Sequence, residues 1–121
     1  MNPRYSLVIP AYNEERLLGR LLDSIAIARA SYGQPAAIEV IVADNLSTDS
    51  TRTIAEARGC RVVSVEKRII GAVRNAGARA ARGEILAFID ADSQVHARTF
   101  FEIERAFEGC ASAFRKPLRK G

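Results

Sequence analysis

The chain has 121 residues, enough for one domain with a modest core and too few for two. Hydrophobic residues make up 48% of it, an ordinary share for a globular domain, and no apolar run approaches the ~18 residues that would span a membrane. The net charge of +4 reflects a basic end, because removing Arg115, Lys116, Arg119 and Lys120 leaves 14 basic and 14 acidic residues. A neutral body argues against nucleic-acid binding. We expect the basic end to be solvated, with contact to an anionic membrane surface as the alternative.

The N-terminus and the cysteines bear on the cellular compartment in which the protein is expected to function. Arg4 is followed by only a short apolar run, which Pro10 interrupts, so the pattern of a secretory signal is absent. Cys60 and Cys110 do not have the spacing of metal ligands. We therefore predict a cytoplasmic protein, peripheral to a membrane at most, whose thiols stay reduced.

Predicted strands and helices alternate along the chain. Asn13 has the side chain of a helix N-cap, and Glu14 and Glu15 suit the positive end of the helix that follows. Residues 110–121 contain a short predicted strand and the basic tail. The other predicted strands are residues 5–9, 38–43, 61–65 and 85–89, and the predicted helices are residues 14–30, 49–58, 71–82 and 97–107.

This alternation predicts a single α/β domain over residues 1–121. Strands that alternate with helices form a parallel sheet through right-handed crossovers, with helices on both faces. The expected architecture is therefore a three-layer sandwich with a mainly parallel sheet. In such a sheet the carboxyl ends of the strands share one edge, and ligands bind there.

Residues 85–89 lead directly into two carboxylates, Asp90 and Asp92, separated by one small residue. The continuous apolar run predicts a strand buried on both faces of the sheet. If the backbone stays extended, the two carboxylates point the same way, about 7 Å apart. Such a pair suits a cation with oxygen ligands such as Mg²⁺ or Mn²⁺. The alternative is that both residues simply form a turn after the strand.

Polar residues follow three of the predicted strands and are expected at the same edge of the sheet. Tyr12 offers a flat face on which a nucleobase can stack, Asp44 can accept hydrogen bonds from a base or a ribose, and Arg74 can donate to a nucleotide. Together with the acid pair they favour a nucleotide diphosphate held through a cation. Singly, Tyr12 is equally a packing aromatic, Asp44 a turn residue and Arg74 a solvated helix residue. The polar segments are residues 10–14, 44–49 and 90–92.

Several other chemistries lack their sequence patterns. There is no Gly-x-x-x-x-Gly-Lys-Ser/Thr loop and no Gly-x-Gly-x-x-Gly after the first strand, which argues against a P-loop ATPase and a dinucleotide oxidoreductase. The Gly-x-Ser-x-Gly motif of serine hydrolases is also missing. His96 follows the acid pair and is interpreted as a surface residue, with a part in the metal shell as the alternative.

Four segments resemble the motifs of a known family. They are Ser-Leu-Val-Ile-Pro-Ala-Tyr-Asn-Glu-Glu at residues 6–15, Val-Ile-Val-Ala-Asp-Asn-Leu-Ser-Thr-Asp-Ser-Thr at 40–51, Arg-Asn-Ala-Gly-Ala-Arg-Ala-Ala-Arg-Gly at 74–83 and Phe-Ile-Asp-Ala-Asp at 88–92. In order and content they resemble the family 2 glycosyltransferases of the GT-A fold, over residues 5–107. The resemblance implies a nucleotide-sugar donor, usually a UDP- or GDP-sugar, an acceptor that stays unknown, and transfer with inversion at the anomeric carbon.

The resemblance also implies roles for individual residues in holding the nucleotide. Asp44 is implied to hold the base or the ribose, and Arg74 matches a position that often helps to hold the nucleotide. The residues implied to line the nucleotide pocket are Pro10, Ala11, Tyr12 and Glu14.

The acid pair matches the acid-x-acid motif of the family. In the family the second acid, here Asp92, commonly ligates Mn²⁺ or Mg²⁺, and the first, here Asp90, faces the ribose or the metal shell. The cation acts as a Lewis acid on the leaving diphosphate.

The chain departs from the family pattern in two ways. Leu46 and Ser50 stand where the family frequently has glycine, which leaves the shape of the loop after the second strand open. Family members also continue well past the length of this chain and carry the acceptor site and the general base there. No residue after the acid pair fits such a base, since Glu102, Glu104 and Glu108 are interpreted as helix-surface charges.

The sequence therefore predicts an incomplete GT-A domain that binds a nucleotide sugar. The alternative is a non-catalytic nucleotide-sugar-binding fragment or subunit that lacks the acceptor half. A phosphatase of the haloacid dehalogenase type fits poorly, because its acid-x-acid pair follows the first strand and here the pair follows the fourth. A sheet edge left exposed would let two copies pair as a homodimer.

Overall fold

The computed structural model describes residues 2–109, which form one parallel sheet with alternating helices. The strands are β1 (Tyr5–Ala11), β2 (Ile38–Asp44), β3 (Arg61–Ser64) and β4 (Ile85–Phe88), and the helices are α1 (Leu18–Tyr32), α2 (Thr51–Ala57), α3 (Ile70–Ala80) and α4 (Thr99–Gly109). A 3-10 turn, Pro35–Ala37, precedes β2. The strand order is β3-β2-β1-β4 and every pairing is parallel, which confirms the α/β class. The strand and tail predicted within residues 110–121 lie outside the described residues.

Helices cover both faces of the sheet, as predicted. Tyr5, Leu7 and Ile9 of β1 are fully buried in one core together with residues of α1, α2 and α4. Val8 lies on the opposite face of β1, in a smaller core with Ala81, and α3 packs across β1 and β2 on that side. The alternating side chains of β1 therefore pack into two cores, one on each face of the sheet, and the result is a three-layer sandwich.

β1 runs through Pro10 to Ala11, farther than predicted, although proline cannot donate to a strand ladder. The carbonyl of Val8 accepts a hydrogen bond from the amide of Ile89 (3.0 Å). The N–H and C=O groups of the even-numbered residues of β1 therefore point towards β4. β4 pairs with β1 only as far as Val8 and Phe88. The nitrogen of Pro10 therefore faces the side on which pairing has already ended, and no ladder hydrogen bond is lost.

β4 is an edge strand among the described residues, because it pairs only with β1. Ile85 is buried, Leu86 and Ala87 are half-buried, and Phe88 is 41% exposed. The prediction of a strand buried on both faces therefore holds at the start of β4, where Ala87 and Leu86 pack against cores on opposite faces, and fails at Phe88. An apolar run reports how hydrophobic a strand is, and it does not report how many strands lie beside it.

The first helix begins later than predicted. α1 starts at Leu18, and before it the carbonyl of Glu14 accepts hydrogen bonds from the amides of Leu17 (3.1 Å) and Leu18 (2.9 Å) in a turn. Asn13 is therefore too far from the helix to be its N-cap. Gly33 ends α1 in the left-handed conformation, with φ of 83°. None of the helices within residues 2–109 has the length and apolar character that crossing a bilayer requires.

Tyr5 and Glu104 join β1 to α4. The Tyr5 ring centroid lies 5.4 Å from that of Phe100 and 5.7 Å from that of Tyr32, and its hydroxyl donates to Glu104 (2.7 Å). Arg4 donates to the same carboxylate (3.0 Å). Burial, followed by the hydrogen bond to Glu104, raises the pKa of Tyr5. Glu104 is thus a hydrogen-bonded tie between elements, and its interpretation as a helix-surface charge is wrong.

Glu39 on β2 connects three parts of the chain near the amino ends of the strands. Its carboxylate accepts hydrogen bonds from the Ser6 hydroxyl (2.6 Å), the Arg82 amide (2.6 Å) and the Arg61 guanidinium (2.8 Å). Burial by itself raises the pKa of Glu39, but these hydrogen bonds and the charge of Arg61 outweigh it, so the pKa lies below the ordinary value of 4.5. The ionised form of Glu39 therefore stabilises the fold.

Acid should destabilise the chain in part through Glu39. Since the pKa of Glu39 is lower in the folded than in the unfolded state, its stabilisation is present above the ordinary value of 4.5 and is lost as the pH falls through the folded value. The difference in unfolding free energy between the wild type and Glu39→Gln should therefore shrink as the pH falls below 4.5. Urea unfolding of both chains from neutral to acidic pH measures this, and a pH-independent difference would contradict it.

Gly77 allows α3 to lie close to the sheet. It is buried, and a Cβ added to it would overlap Cγ1 of Val8, a fully buried β-branched side chain with little rotational freedom. We predict that Gly77→Ala lowers the free energy of unfolding by about 1–3 kcal/mol through overpacking. Gly71 is the matched control on the same helix, since a Cβ there meets nothing within 4 Å. Gly71→Ala should raise stability by up to about 1 kcal/mol in the same urea titration, and equal effects of the two substitutions would refute the overlap.

Candidate functional site

The carboxyl ends of the strands meet at one edge of the sheet, as the parallel topology predicts. Ala11 pairs with Asp44 at the ends of β1 and β2, and Asn45 continues the ladder by donating its amide to the Ala11 carbonyl (2.9 Å). Val65, just after β3, donates to the Asp44 carbonyl (2.9 Å). The segments that follow β1, β2 and β3 therefore start side by side at this edge.

The loop after β1 and the loop after β2 are joined by hydrogen bonds between side chains and backbone amides. Asn13 is central, because its amide donates to the Ser47 hydroxyl (2.9 Å) while its side-chain oxygen accepts from the Thr48 amide (2.8 Å). Asn13 itself adopts a left-handed conformation with φ of 51°. The further bonds are Glu14 amide to Thr51 hydroxyl (2.8 Å), Glu15 amide to Asp49 carboxylate (3.2 Å) and Ser50 amide to Glu15 carboxylate (3.1 Å).

A cleft of about 270 Å³ opens at this edge. It brings together three of the residues expected to line a nucleotide pocket, Pro10, Ala11 and Tyr12. Tyr12 is 42% exposed, so part of its side chain is open to the cleft. The remaining lining residues are Asn45, Arg68, Ile70 and Val73.

The segment after β3 also contributes to the cleft, which sequence reasoning missed. Arg68 places its guanidinium carbon 4.2 Å from the centre of the Tyr12 ring. The signal was present, because Glu66, Lys67 and Arg68 follow the third strand just as other polar residues follow the other three. The topological rule that gathers strand ends at one edge applies to all the strands of a parallel sheet.

Asp44 ends β2 and is only 3% exposed. Its carboxylate accepts a hydrogen bond from the amide of Ser47 (3.3 Å), three residues further along the loop. Asp44 therefore shapes the loop after β2 in this structure. It is not among the side chains that line the cleft.

Glu14 lies near both members of the acid pair. Burial raises the pKa of Glu14, and the negative charges of Asp92, Asp49 and Asp90 raise it further. These influences place the loop after β1 and the segment after β4 in one electrostatic environment. A concentration of negative charge of this kind attracts cations.

Asp90 and Asp92 lie in a turn. The amide of Ser93 donates to the carbonyl of Asp90 (3.0 Å), so the backbone does not stay extended, and the condition for two parallel carboxylates about 7 Å apart is not met. Both side chains are exposed and make no hydrogen bond or ion pair with any other described residue. Arg20 donates to the backbone carbonyl of Asp92 (2.9 Å) and holds the turn against α1.

The chemistry of these residues fits a hard cation that a ligand helps to hold. Within residues 2–109 no group of three or more histidine, cysteine or acidic side chains is arranged to bind a metal alone. Mg²⁺ is typically bound by one or two carboxylates, with substrate phosphates and water completing its shell. Asp90 and Asp92, with uncommitted oxygens at the sheet edge, meet that requirement.

Two other predicted residues occupy different places. Arg74 on α3 does not line the cleft, and its guanidinium carbon lies 5.4 Å from the centre of the Phe88 ring on β4. His96 is exposed, and its Nδ1 accepts a hydrogen bond from the amide of Arg98 (3.1 Å) in a local turn. His96 therefore has the surface position expected of it.

Comparison with known proteins identifies glycosyltransferases as relatives of this chain. The model of the family Glycosyl transferase family 2 matches residues 6–113. Validoxylamine A glucosyltransferase of Streptomyces hygroscopicus subsp. limoneus is 37% identical over 94 residues, which cover 73% of this chain and 20% of that enzyme.

Solved structures of glycosyltransferases superpose on the chain. S. aureus TarS 1–349 in complex with UDP-GlcNAc matches with a TM-score of 0.71 and 26% identity over 88% of this chain and 31% of that one. Glucosyl-3-phosphoglycerate synthase from Mycobacterium tuberculosis, in complex with Mn²⁺, UDP and glucosyl-3-phosphoglycerate, matches with a TM-score of 0.63 and 31% identity over 76% of this chain and 36% of that one. The chain thus spans 20–36% of the length of these three proteins.

Leu46 has a strained backbone conformation, at a position where the family frequently has glycine. Its φ is 56°, a left-handed conformation that costs a non-glycine residue about 1–2 kcal/mol, and its side chain is 44% exposed. We predict that Leu46→Gly raises the free energy of unfolding by about 0.5–1 kcal/mol, after allowance for the entropy of glycine in the unfolded chain. Leu46→Ala is the control, since it retains the strain and should bring no gain. Urea unfolding tests both, and a loss of stability in Leu46→Gly would show that the leucine side chain matters more than the strain.

The matched motifs, the sheet and the structural neighbours agree with one another. The family match covers the four motif segments, and the neighbours share the parallel sheet on which those segments converge. The chain belongs to glycosyltransferase family 2 and has the GT-A fold.

Proposed function

We propose that this chain is the donor-binding part of an inverting glycosyltransferase, which takes a UDP- or GDP-sugar and transfers the sugar to an acceptor not yet identified. The observation that carries the proposal is that the Tyr12 cleft and the exposed acid pair lie at the same edge of one sheet. Solved neighbours contain UDP-GlcNAc in one case and Mn²⁺ with UDP in another, which supports a nucleotide sugar as the ligand.

The base is proposed to bind in the cleft. Tyr12 supplies an exposed aromatic face, and Pro10 and Ala11 supply apolar walls. Asp44 is proposed to accept hydrogen bonds from the base or the ribose, using the carboxylate capacity that the Ser47 amide leaves free. Because Asp44 is almost fully buried, that contact requires the ligand to reach the back of the loop after β2.

The diphosphate is proposed to lie next to the acid pair. Asp92 would ligate Mn²⁺ or Mg²⁺ and Asp90 would face the ribose or the metal shell, because both carboxylates are exposed and uncommitted within the described residues. When bound, the cation supplies Lewis-acid stabilisation of the leaving diphosphate. Glu14 adds negative charge that favours a cation here, and Arg74 is proposed to leave its contact with Phe88 and donate to the nucleotide.

Binding without transfer is the alternative function. The chain spans 20–36% of the length of the three compared proteins, and no general base is identified among residues 93–109. A nucleotide-sugar-binding subunit is distinguished from an enzyme by an assay of sugar transfer and of donor hydrolysis. Pairing of two copies through β3 or β4, the sheet edges within the described residues, stays a prediction.

Isothermal titration calorimetry with UDP and GDP, in Mn²⁺ and in EDTA, tests the donor site. We expect binding that depends on the metal, and we expect Asp92→Ala to weaken it by about 10–100-fold. The midpoint of urea unfolding should stay nearly unchanged, because an exposed carboxylate contributes little to the core.

Asp23→Ala is the matched control for Asp92→Ala. Asp23 is an exposed acid on α1 whose carboxylate pairs with Arg58 (2.8 Å), away from the cleft. This variant should bind nucleotide as the wild type does. The proposal is wrong if the wild type binds neither nucleotide in a metal-dependent manner, or if Asp92→Ala loses stability as much as it loses affinity.

A further inference from the structure

The guanidinium of Arg68 covers the aromatic face on which the proposed function needs a base to stack. Its central carbon lies 4.2 Å from the Tyr12 ring centre, and both side chains line the same cleft. Stacked groups are separated by about 3.5–4 Å, so a guanidinium at this distance leaves no room for a base between it and the ring. The base and Arg68 therefore compete for one face of Tyr12.

The backbone that carries Arg68 is held in place, while its side chain is not. The side-chain amide of Asn45 donates to the carbonyls of Val65 (2.7 Å) and Lys67 (3.0 Å), which fixes the segment just before Arg68. Asn45 also donates its backbone amide to Ala11, next to Tyr12. The Tyr12 ring and the Arg68 guanidinium therefore extend from neighbouring segments whose backbones are held by hydrogen bonds to Asn45.

The guanidinium itself has a weak hold on the ring. Arg68 is exposed and makes no hydrogen bond or ion pair with the residues described between positions 2 and 109. A cation–π contact at an exposed site is worth only about 2- to 5-fold in an equilibrium constant. All five N–H donors of the guanidinium are available to a ligand in the cleft.

We propose that Arg68 is a further donor-binding residue, which exchanges the Tyr12 ring for the diphosphate of the donor. Without a ligand it occupies the stacking face. When the donor binds, the base takes that face and the released guanidinium pairs with the negatively charged diphosphate. This inference rests on the proposed function, and it adds a contact from the segment after β3 and a reason for the site to prefer a nucleotide over a nucleoside.

The exchange makes opposite predictions for two ligands. Removing Arg68 frees the Tyr12 face, so Arg68→Ala should bind uridine about 2- to 5-fold more tightly than the wild type. The same substitution removes a charged donor, so it should bind UDP about 3- to 30-fold less tightly, even after the gain in stacking. A purely structural role of Arg68 would shift both ligands in the same direction.

The test is an NMR titration of the 121-residue chain with uridine and with UDP in the presence of Mg²⁺, with guanosine and GDP as a parallel pair. Arg79→Ala is the matched control, because Arg79 is an exposed arginine of α3 that does not line the cleft. Affinities of Arg68→Ala that move in opposite directions for nucleoside and diphosphate support the exchange. Three results would overturn the exchange. They are unchanged affinities, a change of the same sign for both ligands, and a loss for the diphosphate without a gain for the nucleoside.

The same titration separates this inference from the proposed function. If the wild type binds a diphosphate and Arg68→Ala binds it equally well, only the role of Arg68 fails. If the wild type binds neither the nucleosides nor the diphosphates in Mg²⁺, the donor site fails and the exchange fails with it.

Discussion

The parallel pairing of β1 with β2 up to their last residues is the constraint on which the site depends. Ala11 faces Asp44 at the end of the ladder, and Asn45 adds one more hydrogen bond to Ala11 beyond it. Because the ladder does not loosen before the strands end, the two loops leave the sheet side by side and can bond to each other through Asn13. The side-chain amide of Asn45 also holds the segment after β3 in place, by donating to the carbonyls of Val65 and Lys67. One continuous set of hydrogen bonds, from backbone groups and from the side chains of Asn13 and Asn45, therefore positions the walls of the cleft.

Polar groups are used differently at the two ends of the sheet. At the amino ends, Glu39 and Glu104 are both engaged by hydrogen-bond donors from other elements, so their charges stabilise the fold. At the carboxyl ends, Asp90, Asp92 and Arg68 are exposed and make no hydrogen bond or ion pair with described residues. A fixed backbone that presents uncommitted charges is suited to a ligand that brings charge of its own. This contrast separates the end of the sheet whose charges stabilise the fold from the end proposed to bind the donor.

How well each site residue could be predicted depended on the kind of contact it makes. The location of Tyr12 at the edge of the sheet was predictable, because Tyr12 directly follows a strand and the carboxyl ends of parallel strands share one edge. The turn at Asp90 was not predictable from alternation, since an extended backbone had to be assumed beyond the end of β4. Asn13 looks like a helix cap, yet it bonds to Ser47 and Thr48, more than thirty residues away. A side chain that can satisfy either a local or a distant amide gives the same local pattern in both cases.

The sequence by itself determined the alternation of strands and helices, the edge of the sheet at which polar residues gather, and the family. These features follow from hydrophobic periodicity and from residues that adjoin the strands, and both are local properties of the chain. Tertiary structure alone decided that Pro10 stays within β1, that β4 is an edge strand among residues 2–109 and that Arg68 lies on Tyr12. Each of these depends on which segment arrives beside another, and hydrophobic periodicity within one segment carries no record of its neighbours in space.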